Sequence, residues 1–306
     1  MKRSGFEVLH WTAAALGCAA LGVGGLRADS GLAADIAVGG GRAGSPPVAQ
    51  LAGPQAAPAG ARVRELVFPQ VLGGAVILHD NGPIVTHPGG GAGGLDASHL
   101  QSAIGLNVYG FGHSVSTGFR VADDFEVTAA QGWDVTTISF FAYQTGSPTT
   151  STIDNVNLRI WDGLPGDPGS TVVFGDPTTN RLSTTQFMDV YRVLDTDPAG
   201  TSRPVMEVSA TAGVHLDPGT YWLDWQTGGT LASGPWAVPI SIVGTATTGD
   251  GLQFNPTGAT WSPVIDNGTA AAPQGFPFVI YGILDQMPFL ADFEEGDFSE
   301  WSATQP

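Results

Sequence analysis

The chain is 306 residues long and carries Gly 44 and Pro 22, with only 13% charged and 42% hydrophobic residues. That is too apolar for a disordered chain and too rich in turn formers for a helical bundle. A formal charge of −17 repels phosphate backbones and anionic lipid, so no nucleic acid partner is expected.

Lys2 and Arg3 precede an apolar run from Trp11 to Leu26, followed by Arg27 and Ala28. This layout predicts an export signal over 1–28, with cleavage near Ala28 or Ala34. The run falls short of the roughly 20 apolar residues that cross a bilayer, so no membrane span is expected. Cys18 is the only cysteine, which excludes an internal disulfide and a cysteine-based metal site. Ala15-Leu16-Gly17-Cys18 shares features with a lipoprotein box, but the leucine-then-small order is inverted; a lipid anchor at Cys18 is the weaker alternative to an ordinary signal core. Residues 29–66 are mostly Ala, Gly and Pro without an aromatic side chain, which predicts a disordered linker.

From 67 to 284, aromatic and β-branched residues come in short runs between Gly, Pro, Asp and Asn clusters, the mark of many short strands. "TTISFFAYQ" around Ile138 to Tyr143 and "VNLRIW" from Val156 to Trp161 flank the turn "TGSPTT" and predict a hairpin or neighbouring strand pair. Further strands are expected at "STVVF", "FMDVYRVL", "RPVMEVSA", "TYWLDWQ", "VPISIVG", "GLQF" and "FPFVIYGIL". With no long helical period between them, the class is all-β, best met by an antiparallel two-sheet β-sandwich of jelly-roll or Greek-key type. Residues 285–306 form an acidic tail.

Leu216-Asp217-Pro218-Gly219-Thr220-Tyr221 has the form L-x-P-G-x-Y, similar to the tyrosine corner of Greek-key sandwiches, whose hydroxyl bonds to backbone just upstream. Tyr221, Leu223 and Trp225 then point inward, while Trp222, Asp224 and Gln226 take the opposite face.

The motifs "HDNGPIVTHPGGGAGG", "RVADDFEV", "WDVTTISFFAYQTGS", "LRIWDGLPGDPGS", "YWLDWQTGG", "SGPWAVP" and "GFPFVIYG" together resemble an uncharacterised family of secreted bacterial β-rich proteins. The resemblance implies an exported module and brings no catalytic residues with it. The tail "ADFEEGDFSEW" resembles an FE-x-GD-x-S-x-W ending found on many exported bacterial proteins, and the resemblance implies a sorting or attachment signal. The expected location is secreted or cell-surface.

Enzyme signatures are sparse: there is no G-x-S-x-G elbow, no H-E-x-x-H helix and no phosphate loop. His113 and Ser114 in "GFGHSVSTG" read as a turn, and "HPGGGAGG" after His87 as a tightly turning loop. Calcium takes six to eight oxygen ligands, for which Asp123, Asp124, Asp162, Asp167, Asp195 and Asp197 are the candidates; the competing reading is that these aspartates form turns. "DTDPAG" matches an EF-hand loop only in part, because Ala199 replaces a ligand and Met206 stands where the bidentate Glu belongs.

The other candidate site is aromatic. Trp161 with Arg159, and Trp222 with Asp224, pair a flat indole with a charged group, an arrangement that can stack on a sugar ring and bond its hydroxyls. Against it stands the reading that both faces of these strands are covered, with the loop around Trp236 lying over one tryptophan. Two functions remain: a non-catalytic exported binding module for carbohydrate, or a polysaccharide hydrolase acting through aspartates. A structural envelope or matrix role is a third.

Overall fold

The fold is described by a computed structural model for residues 75–283; the expected leader at 1–28 with Cys18, the expected linker at 29–66 and the residues of the acidic tail at 285–306 lie outside the described residues. In chain order the strands are β1 (Val76–Asp80), β2 (Asp96–Leu100), β3 (Phe111–Gly112), β4 (Arg120–Val127), β5 (Trp133–Tyr143), β6 (Ile153–Trp161) and β7 (Val172–Asp176). They continue as β8 (Leu182–Leu194), β9 (Pro204–Leu216), β10 (Gly219–Gly229), β11 (Trp236–Ala237), β12 (Leu252–Asn255), β13 (Thr260–Pro263) and β14 (Phe278–Ile283). Among the described residues, the helical elements are two single turns, at Ala92–Gly94 and Ser102–Ile104. No helix there is long and apolar enough to cross a membrane.

Two sheets pack together as a β-sandwich. The first runs β1-β14-β5-β9-β8-β2, extended by β11 and β3, and the second runs β13-β12-β4-β10-β6-β7. Neighbours are antiparallel except β2 and β8, which are parallel. Between the sheets, Ile138 and Phe140 of β5, Val208 of β9 and Ile280 of β14 meet Val121 and Phe125 of β4, Leu158 and Ile160 of β6, and Leu223 and Trp225 of β10. Each such buried side chain stabilises the fold by roughly 1.5–3 kcal/mol relative to exposure. A second cluster, with Phe141, Tyr143, Val205, Val279, Tyr109 and Val238, covers the back of the first sheet. That sheet is therefore buried on both faces, and the end of β5 accordingly reads Phe140-Phe141-Ala142-Tyr143 without alternation.

The structure corrects two strand expectations. β5 and β6 are not a hairpin: β5 lies between β14 and β9, whereas β6 lies in the other sheet between β10 and β7. The segment 144–152 crosses from sheet to sheet, and β5 spends its ladder bonds on β9 and β14 instead. "VPISIVG" is not a strand. Pro239 cannot donate to a ladder, and the backbone N–H groups of Ile240 and Ser241 donate to different segments, at Gly275 and Pro83.

The tyrosine corner is formed: the Tyr221 hydroxyl donates to the Asp217 carbonyl at 3.0 Å, where the chain passes from β9 in one sheet to β10 in the other. Its ring stacks on Phe125, 5.8 Å between centroids. The alternation expected along β10 follows, with Leu223 and Trp225 in the inter-sheet core and Trp222 in a separate cluster outside it.

Candidate functional site

The outer face of the second sheet gathers the charged and aromatic residues. Register puts Trp222 of β10 opposite Trp161 of β6, Asp224 opposite Arg159, and Gln226 opposite Asn157. On the other side of β10, Asp124 and Ala122 of β4 oppose Trp222 and Asp224. Beyond β4, Arg120 opposes Phe254 of β12, which opposes Trp261 of β13.

Asp224 is the centre of this face. Its fully buried carboxylate accepts from Arg120 Nε at 3.1 Å on Oδ1 and from Arg159 Nε at 2.8 Å and Trp161 Nε1 at 3.2 Å on Oδ2. Arg159 Nη2 also bonds Oδ2. Both oxygens are occupied, so Asp224 is an anchor for two cations. Each guanidinium lies over aromatic side chains: Arg120 is 3.7 Å from the Phe254 centroid and 5.3 Å from that of Trp261, and Arg159 is 4.8 Å from that of Trp161. Burial draws the Arg120 pKa below its ordinary value, while the adjacent Asp224 carboxylate opposes the shift.

Trp222 is not an exposed platform. It is 7% exposed, packed with Ala122 and Leu252 and flanked by Trp161 and Trp261. The β6–β7 loop reaches across the sheet to this cluster. At its tip Gly166 has φ +93 and approaches Trp261 so closely that a Cβ there would stand 3.1 Å from the indole, so glycine suits both the backbone and the contact. The loop around Trp236 does not perform this covering. Trp236 pairs with Gly112 and Tyr143 and packs behind the first sheet. The half-exposed rings of the outer face are therefore Trp161, Phe254 and Trp261. Sequence reasoning missed Arg120, Phe254 and Trp261. The alternation Arg120, Ala122, Asp124 assigns a shared face, but only topology places β12 and β13 beside it.

The candidate calcium ligands separate. Asp123 and Asp124 join Asp250, whose carboxylate comes from the loop before β12, with oxygens within 4.8 Å of one another; these three could hold a hard cation. Asp123 accepts from Phe276 N–H at 2.6 Å and Asn81 Nδ2 at 3.3 Å. Burial pushes it up to about 8, and Asp124 is also raised, by burial and by Asp250. The remaining four lie elsewhere. Asp162 accepts from the Thr171 backbone and hydroxyl, and Asp195 accepts from the Ser102 hydroxyl and Ala103 N–H. Asp167 and Asp197 offer backbone carbonyls to the turn N–H groups of Ser170 and Gly200.

His113 is buried and its pKa is pushed down to about 3 by burial. Its Nε2 is 2.9 Å from the Thr227 hydroxyl, while Ser114 bonds Ser116, so the two adjacent residues are not arranged as base and nucleophile. No protein-family model matches the chain, and no curated protein or solved structure matches it significantly.

Proposed function

We propose that the protein is an exported, non-catalytic binding module, secreted or held at the cell surface, that takes a glycan on the outer face of its second sheet. The observation that carries this reading is the Arg120–Asp224–Arg159 group set among the half-exposed rings of Trp161, Phe254 and Trp261. Aromatic faces stack on the C–H faces of sugar rings, and fixed guanidinium donors bond hydroxyl or acidic substituents. A binding role is favoured over hydrolysis because both oxygens of Asp224, the acid at the centre of this face, are already held by donors.

The test is a screen of the secreted protein against a polysaccharide array, with product analysis on each hit. Binding without cleavage, abolished by Trp161→Ala or Trp261→Ala in variants that melt like the parent, is the expected result. Release of shorter oligosaccharides would replace the proposal with the hydrolase reading, and binding unaffected by both substitutions would move the site elsewhere.

A further inference from the structure

We infer that the glycan held on this face carries a carboxylate, as a hexuronate residue does, and that Arg120 and Arg159 are the groups that select it. The inference rests on the glycan-binding reading above and adds the chemical class of the ligand.

Positive charge is scarce in this protein. Between residues 75 and 283 the basic side chains of lysine and arginine type are Arg120, Arg159, Arg181, Arg192 and Arg203. Three of them serve the fold. Arg192 is wholly buried and donates to the carbonyls of Tyr109 and His99, Arg203 lies on the Tyr109 ring, and Arg181 lies on Phe174. The other two converge on the single carboxylate of Asp224, which leaves two cations against one anion at a partly desolvated site. Their side chains remain 13% and 15% exposed. Asp124, beside Trp222, is the nearest acid in register on this face, and it groups with Asp123 and Asp250.

The geometry favours a planar anion. Arg120 reaches Asp224 through Nε and Arg159 through Nε and Nη2, so both Nη groups of Arg120 and Nη1 of Arg159 have no hydrogen-bond partner among the described residues. Both guanidinium groups lie over aromatic rings. The unbonded N–H groups lie in the guanidinium plane, and such a fork matches the two oxygens of a carboxylate. A neutral sugar would leave those desolvated donors poorly matched, whereas a uronate satisfies them while its ring stacks on Trp161 or Trp261.

Isothermal titration of the intact protein with a trimeric galacturonate, its fully methyl-esterified form, the neutral galactose trimer and a sulfated galactose trimer tests this without altering the protein. The free acid is expected to bind at least about 10-fold more tightly than the ester and the neutral trimer, the scale of one unmatched charged hydrogen bond. Arg120→Gln should remove that preference, bringing the affinity for the free acid down to that for the ester and the neutral trimer. Equal binding of acid, ester and neutral trimers would overturn the inference and leave the glycan-binding reading standing. Preference for the sulfated trimer would overturn the carboxylate assignment, and absence of binding to every glycan in both this series and the array would overturn both.

Discussion

The two faces of β10 are built from alternate residues of one strand and do different work. Tyr221, Leu223 and Trp225 face the other sheet, where Trp225 stacks on Phe140 at 4.8 Å between centroids and meets Phe276 edge-on at 5.8 Å. Trp222, Asp224 and Gln226 face outward, where the same spacing yields a small aromatic cluster, an ion-pair network and an amide ladder. Burial alone does not separate them, since Trp222 and Trp225 are both largely covered. What differs is the cover: a whole sheet on one side, and a few neighbouring side chains on the other.

The comparison breaks first at the tryptophans. Trp225→Ala should cost about 3–5 kcal/mol, because a rigid two-sheet core cannot collapse into the space left behind. Trp222→Ala should cost less, about 2–3 kcal/mol, because the half-exposed side chains around it can settle inward. Urea denaturation of both variants measures the difference. Equal losses would mean that the outer cluster is a second rigid core.

Asp224→Ala comes next, with an expected loss of about 3 kcal/mol, since it strands two partly desolvated guanidinium groups. Asp224→Asn should lose less, because an amide oxygen still accepts from one arginine. If Asp224→Ala were neutral in thermal denaturation, the outer network would be solvated rather than structural, and its selectivity for an acid would lose its basis.

Asp123 lies midway along β4, on the side of the strand that carries Val121 and Phe125, and supplies a pH test. Its folded pKa of about 8 lies above the ordinary 3.8, so the folded state keeps a proton that the unfolded chain releases. Stability from this group is therefore fully present below about pH 4 and falls as pH rises towards 8. A loss of about 1–2 kcal/mol between pH 6 and 8 is expected from one differential proton. Asp123→Asn should flatten this slope in chemical denaturation measured across that range. An unchanged slope would assign the titration to another group.

What the sequence disclosed, and what it hid, follows the same division. Alternation is local, so the strand at 219–229, its two faces and the tyrosine corner are legible from residue types alone. Partnership is not local. Nothing in "VNLRIW" says that Trp161 will face Trp222 across a ladder, or that the turn before it crosses between sheets. Arg120, Phe254 and Trp261 were missed for that reason, and so was Asp250, brought to Asp123 and Asp124 from more than a hundred positions away. "VPISIVG" misled in the other direction: its β-branched residues satisfy a strand pattern, yet Ile242 and Val243 stand exposed and Pro239 interrupts the ladder.

The smallest expected effect is at Tyr221, and it tests whether the two faces are independent. The corner hydrogen bond to Asp217 is made at 3.0 Å, but it lies at the exposed end of the strand, where water can take over the carbonyl when the hydroxyl is removed. Tyr221→Phe should therefore cost only about 0.5–1.5 kcal/mol, the net worth of one hydrogen bond without a buried orphan. Its ring stays stacked on Phe125 on the inner side, so affinity for a glycan on the outer face should not change. Paired denaturation and binding measurements on this one variant decide the point. A stability loss near that of Trp225→Ala would make the corner part of the core, and a loss of ligand affinity would show that the inner face positions Trp222 and Asp224 through the strand they share.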